Sequence, residues 1–246
     1  VTWLEAAEVR ELERDVTSDI LGAAHIEEDI NVLPIRVCQA FAKSAQVYGA
    51  SIFEYTKVFR IQKQQDTFRI ETTNGIVEAK RVVIASGAWS TPFFQQLGLA
   101  HEMTPVKGEC IAVKGNHVLL KHTIFHDKYY IVPRNNGELV IGATMKENDW
   151  SQQVSLDGME TLIHKAKELL PTIGHMKMTA AWSGLRPQTF DQKPFIGHHP
   201  EDDAILFATG HYRNGILLAP ATGEMIASIM LKRDVKKQWI EAFRVD

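Results

Sequence analysis

Apolar and polar residues alternate with period two over residues 51–54, 58–62, 68–72 and 76–80, around the turn signals Gln65-Asp66 and Asn74-Gly75. That alternation predicts a β-meander. Just before it the period is helical: Val37, Phe41, Ala45 and Tyr48 fall on one side of a segment that Pro34 opens and Gly49 closes, which predicts a helix over 34–48. Residues 82–87, Val-Val-Ile-Ala-Ser-Gly, are apolar almost without interruption. Such a run is expected of a strand buried on both faces of a parallel sheet, with Gly87 and Ala88 allowing close approach of a ligand or backbone at its end. At the front, Thr2 and Glu5 form a capping-box pattern before Ala6, Ala7, Val9 and Leu12, so the chain is expected to open on a helix, followed by a strand over 20–28.

From Pro105 the pattern is antiparallel: strands are predicted over 106–113, 123–133 and 138–144, with a turn at Asn135-Asn136-Gly137. Asp157 and Glu160 are expected to cap a helix that runs to about Leu170 and stops at Pro171. A strand over 176–185 then leads into Arg186-Pro187, and Pro194 to Gly197 leads into the last strand and helix. That last strand closes on Gly210, and a helical run starts at Gly215. The free N–H groups of its first turn make an anion site there, and the helix dipole favours negative charge by about 0.3–1 kcal/mol. The fold class is therefore α/β and α+β. Two interleaved domains are expected: 29–104 with 185–246, built on a parallel sheet, and 1–28 with 105–184, mostly antiparallel.

With 246 residues, 45% of them hydrophobic and 23% charged, the chain can bury a sizeable core. A net charge of −3 without a basic run argues against nucleic acid and for a small-molecule partner. Cys38 and Cys110 cannot build a disulfide framework, no apolar run reaches the length of a membrane span, and no signal peptide opens the chain. A cytoplasmic protein is the default expectation. The start at Val1, without Met or lead-in, suggests an interior piece of a longer protein. None of the 16 glycines forms even a Gly-x-Gly pair, so the usual dinucleotide phosphate cradle is absent. His122 and His126 have a helical metal spacing in a segment that reads as strand, which argues against a metal site. His198 and His199 read as polar loop residues, neither cysteine has the basic neighbours of a reactive thiolate, and no Gly-x-Ser-x-Gly nucleophile motif occurs.

One ordered series of motifs spans essentially the whole chain: Gly49-Ala50, Val58, Val83 to Ser90, Pro105 to Glu109, Tyr130 to Arg134, Gly142 to Met145, Gly184 to Pro187, Lys193 to Gly197 and Gly210 to Gly215. It resembles the D-amino acid oxidase family of FAD enzymes, in the glycine-oxidising branch found in bacterial thiamine biosynthesis. Tyr130 with Met145, Gly184-Leu185-Arg186-Pro187 and His211-Tyr212-Arg213-Asn214-Gly215 point to that branch. The resemblance implies FAD as cofactor, in a parallel-sheet domain interleaved with an antiparallel substrate-binding domain. Val58, Ser86, Gly87, Ala88 and Trp89 would serve its adenosine and pyrophosphate end, and Gly210, His211, Arg213, Asn214, Gly215, Ile216 and Leu217 its ring. It also implies that Arg186 and Tyr130 carry the substrate carboxylate, that Met145 lines a small pocket and that Arg213 sits near flavin and substrate.

Residue chemistry points the same way, because an arginine fork grips both oxygens of a carboxylate and a phenol adds a further hydrogen bond. The implied reaction passes a hydride from the substrate α-carbon to the flavin. Water hydrolyses the imine to a keto or aldehyde acid and ammonia, and dioxygen reoxidises the flavin to give hydrogen peroxide. The implied partners are a small amine or amino acid and dioxygen, with no nucleic acid and no membrane, in a homo-oligomer. Lys128 departs from the neutral or histidine side chain that the branch leads one to expect, which bears on the choice of amine. Other readings of the residues are a flavin-dependent amino acid dehydrogenase, a sarcosine-type oxidase or a non-catalytic scaffold. Lacking the cradle, this piece alone is expected to hold FAD weakly or not at all.

Overall fold

A computed structural model describes residues 1–115 and 120–245. The first part of the chain forms β1 (Thr2–Glu5), α1 (Ala6–Leu12), β2 (Gly22–His25), α2 (Pro34–Val47), β3 (Val58–Gln64), β4 (Thr67–Thr72), β5 (Gly75–Ala79) and β6 (Val82–Ile84). A 3₁₀ turn, Gly87–Ser90, leads into α3 (Thr91–Gln96) and then β7 (Thr104–Lys114), β8 (Ile124–His126), β9 (Tyr129–Pro133), β10 (Glu138–Gly142) and β11 (Lys146–Glu147). The rest is α4 (Leu156–Leu169), a 3₁₀ turn (Pro171–His175), β12 (Lys177–Gln188), β13 (Phe195–His199), β14 (Asp202–Thr209), α5 (Gly215–Met230) and α6 (Lys237–Phe243). The chain divides into two units, Val1–Leu33 with Lys107–Leu185 and Pro34–Val106 with Arg186–Asp246.

In the first unit a six-stranded sheet runs β11-β7-β10-β9-β8, with β12 also paired to β7. Alternation sorts its side chains. Ile111, Val113, Ile131, Leu139 and Ile141 turn to a core shared with Leu162, Ala166 and Leu169 of α4, which recur at the i, i+4, i+7 spacing of one helix face. Fully burying each large aliphatic side chain in such a core contributes about 1.5–3 kcal/mol. The opposite face carries the row Cys110, Gly142, Tyr130 and Phe125, paired directly across β7, β10, β9 and β8.

The second unit contains the meander β3-β4-β5 and a separate sheet, β13-β14-β6, in which β14 and β6 are parallel. Its core stacks Phe94 on Phe207 at 4.9 Å and gathers Ile61, Phe68, Val82, Ile84, Phe195 and Ile205. A smaller cluster seats Met225 and Ile226 of α5 on Ile196 and Leu206. α2 buries none of its residues.

Several expectations are overturned. Thr2 to Glu5 is a strand paired with β2, and the capping box sits one turn later, between Glu5 and Glu8. Residues 51–54 form no strand. Val83 is 36% exposed between buried Val82 and Ile84, so β6 alternates rather than being buried on both faces. Residues 123–133 fold as a hairpin that turns at Asp127, whose φ is 54°. The cap of α4 is Ser155, whose hydroxyl accepts from the Gly158 N–H at 3.1 Å, and His198 and His199 lie in β13.

Candidate active site

The parallel pair β6 and β14 is in register from Val82 opposite Ile205 to Ile84 opposite Phe207, so both strands end at the same edge, where ligands of open α/β sheets bind. Beyond β6 the chain turns through Ser86 and Gly87 into the 3₁₀ turn with Ala88 and Trp89; beyond β14 it turns through Gly210 to Asn214 into α5. Three hydroxyls bind the two exits together. Ser90 Oγ lies 3.0 Å from Ser86 Oγ and 2.9 Å from Thr209 Oγ1, and Thr209 donates to the Gly87 carbonyl at 3.3 Å. Gly210 has φ +83°, and a Cβ there would lie 2.6 Å from Thr189 Cγ2, so both conformation and space require glycine.

The end of β12 joins the same loop. The Tyr212 N–H donates to the Pro187 carbonyl at 2.9 Å, and Gln188 bridges to His211. The half-buried Arg186 is thus held on a segment bonded to the loop that carries the exposed Arg213. His211 Nε2 lies 2.8 Å from Thr222 Oγ1 in α5, and burial pushes the imidazole pKa down, which keeps the ring neutral. In the first turn of α5 the Leu218 N–H bonds the Asn214 carbonyl and Asn214 supplies no side-chain cap. The helix itself therefore offers no acceptor to the N–H groups of Gly215, Ile216 and Leu217. Ile216 and Leu217 are 41% and 78% exposed. The arrangement suits a flat, apolar group with an anionic edge.

Val58 belongs to the meander that packs on the same core. It starts β3 opposite Thr72 and packs on the cluster of Val82 and Ile84.

Tyr130 and Met145 belong to the first unit, on β9 and just beyond β10. Thr144, next to Met145, is clamped to Glu109 three ways: its hydroxyl donates to Oε2 at 3.0 Å and accepts from the Glu109 N–H at 2.9 Å, and its own N–H reaches the Glu109 carbonyl at 3.2 Å. The buried carboxylate also meets the Ser155 N–H at 2.8 Å and Lys107 Nζ at 3.1 Å. Burial pushes the Glu109 carboxyl up, but hydrogen bonds from Ser155, Lys107 and Thr144 outweigh it and hold it below the usual carboxylate range. Lys128 is exposed, its ammonium 5.7 Å from the Tyr129 ring centre.

Pattern reasoning assigned no role to Thr209, Ser90, Glu109 or Gly142. A glycine ending an apolar strand is the one available signal, marking close approach at Gly142.

These features belong to a flavin-binding class. The chain belongs to the DAO family of FAD dependent oxidoreductases, whose model matches residues 1–229. Within it, the chain is 52% identical over its whole length to a glycine oxidase of Bacillus licheniformis and 49% identical to that of Bacillus subtilis (strain 168), covering 67% of each. It superposes with a TM-score of 0.95 on the crystal structure of glycine oxidase from Geobacillus kaustophilus, at 38% identity, over 100% of this chain and 66% of that one. The chain thus spans about two thirds of the length of these relatives. The family's cofactor is FAD. The open α5 terminus and its exposed apolar first turn fit the ring of such a group; with no Gly-x-Gly turn, the chain offers no matching cradle for the pyrophosphate.

Proposed function

We propose that the protein, at its full natural length, oxidises glycine and other small amines with FAD and dioxygen, giving a keto or aldehyde acid, ammonia and hydrogen peroxide. The observation that carries this reading is the backbone bonding of the Arg186 segment to the Gly210 loop at the shared end of two parallel strands. In this reading Arg186 is the cation that grips the carboxylate, and it sits on a segment bonded to the loop that leads into α5. Similarity to glycine oxidases supports the choice of amine.

In this reading Arg186 donates two parallel hydrogen bonds to the substrate carboxylate, and Tyr130 donates a third. That grip fixes the direction of the α-carbon hydrogen, and positioning of this kind carries most of the rate when no strong acid or base is engaged. Ile216 and Leu217 exclude water from the reacting side, and the N–H groups of α5 stabilise negative charge that develops beyond them. The chemistry supplied by bound FAD is acceptance of two electrons from the substrate C–H bond. Met145 narrows the space beside the α-carbon. Val58 and the Ser86 to Trp89 turn hold the adenosine end of the cofactor, and Arg213 lies near its ring. The first unit supplies the substrate-binding domain, and the second supplies the rest of the FAD-binding domain.

The test is peroxide and ammonia release by the purified full-length protein with glycine, in air and under nitrogen with an artificial electron acceptor. Equal peroxide and ammonia in air is the expected result. Turnover only with the artificial acceptor would instead make it a dehydrogenase.

A further inference from the structure

Tyr130 is seated on its sheet in an unusual way. Its ladder neighbour on β10 is Gly142, and the next residue across, on β7, is Cys110. A Cβ at Gly142 would overlap the Tyr130 ring carbons and hydroxyl, so the ring lies flat across the glycine rather than standing off the sheet. That path brings the Tyr130 hydroxyl to 3.5 Å from the sulfur of the buried Cys110, a normal distance for a bond to sulfur. On the other side Phe125 packs against the ring, centres 5.8 Å apart. The phenol is thus confined from three strands, and its oxygen has a set neighbour.

We propose that Gly142 and Cys110 form a seat that presets the Tyr130 hydroxyl as a donor to a substrate carboxylate, which makes Cys110 a positioning residue. The inference rests on the reading of Tyr130 as a carboxylate ligand. A carboxylate only accepts hydrogen bonds, so the phenolic hydrogen must point at it. The thiol hydrogen then donates to the phenolic oxygen, occupying a lone pair and removing the rotamer in which the phenol donates to sulfur. Gly142 is the position that lets the ring reach the thiol, and Glu109, beside Cys110 on β7, pins that strand to Thr144.

The experiment uses the full-length protein with Cys110→Ala, Cys110→Ser, Gly142→Ala, Tyr130→Phe and the double change Cys110→Ala/Tyr130→Phe. Cys110→Ala is expected to raise KM for glycine about threefold to tenfold, the range of one weak hydrogen bond. It should leave kcat within about twofold, and glycine ethyl ester, which lacks the carboxylate charge, should be unaffected. Cys110→Ser keeps a donor and recovers part of the loss, while Gly142→Ala displaces the ring and costs more. In the Tyr130→Phe background Cys110→Ala should change nothing. A Cys110→Ala effect that persists in that background, or that is equal for glycine and its ester, would overturn the proposal. Independently of turnover, the ultraviolet titration of Tyr130, taken as wild type minus Tyr130→Phe, should move to higher pH when the thiol donor is removed, because the phenolate loses a hydrogen bond. An unmoved titration refutes the seat. If glycine is not a substrate at all, the functional reading falls, and the titration still decides the seat.

Discussion

Replacing Glu109 by Gln tests the buried network that holds the strand ends beside Tyr130 and Met145. The carboxylate is fully buried and receives the Ser155 N–H at 2.8 Å, the Thr144 hydroxyl at 3.0 Å and the Lys107 ammonium at 3.1 Å. Glutamine keeps the shape and one accepting oxygen, but its NH₂ must then face one of these donors. Breaking a buried pair costs about 3–5 kcal/mol when the surviving charge is stranded. Lys107 is not stranded, because Asp149 lies 3.5 Å and Ser151 Oγ 2.8 Å away, so the expected loss is about 2–3 kcal/mol. The pH dependence has a definite sign. The folded carboxyl is held below its usual pKa, so Glu109 stabilises fully above its unfolded value of about 4.3 and that contribution is lost as pH falls through the depressed folded value. Urea unfolding of wild type and Glu109→Gln should therefore differ most at neutral pH and converge under acid. A difference below about 0.5 kcal/mol at neutral pH, typical of an ordinary surface change, or one independent of pH, would refute the account of the network.

Gly210→Ala should destabilise by about 1–3 kcal/mol, since it combines a left-handed φ with overlap on Thr189; thermal melting reads the loss, and an unchanged melting curve would contradict it. The full-length protein should turn over glycine and sarcosine faster than D-phenylalanine, and the reverse order by peroxide assay would overturn the small pocket assigned to Met145. The 246-residue chain purified alone should be colourless, since it carries no Gly-x-Gly turn, and one FAD per chain by absorbance would defeat that expectation. Arg186→Ala should weaken glycine by about 2–5 kcal/mol in kcat/KM if it removes a bidentate charged pair, and unchanged kcat/KM would remove Arg186 from the site.

How much the sequence revealed depended on whether an element's partners were local. The meander β3-β4-β5 follows directly from alternation, because each strand pairs with its sequence neighbour across a short turn. Residues 51–54 carry Ile52 and Phe53 side by side between polar residues and find no pairing strand, and a short apolar pair does not make a strand without one. Thr2 to Glu5 went the other way: a β-branched and aromatic start was captured by β2, a partner some twenty residues on that no local rule identifies. The hairpin at Asp127 was hidden because aspartate reaches φ 54° without glycine to announce it. Gly210 to Leu217 was readable as strand, turn and helix start. The hydroxyl chain through Ser86, Ser90 and Thr209 spans residues 119 apart in the chain and has no local signature. Likewise the charge network of Glu109 needed the pairing of β7 with β10 before Thr144 could be seen beside it.

The most direct test is anaerobic mixing of the flavin-loaded full-length protein with glycine while the flavin absorbance is followed. The account predicts rapid bleaching of the oxidised band, saturable in glycine and displaced to much higher glycine by Arg186→Ala. An oxidised band that persists with glycine, sarcosine and D-amino acids alike would contradict it.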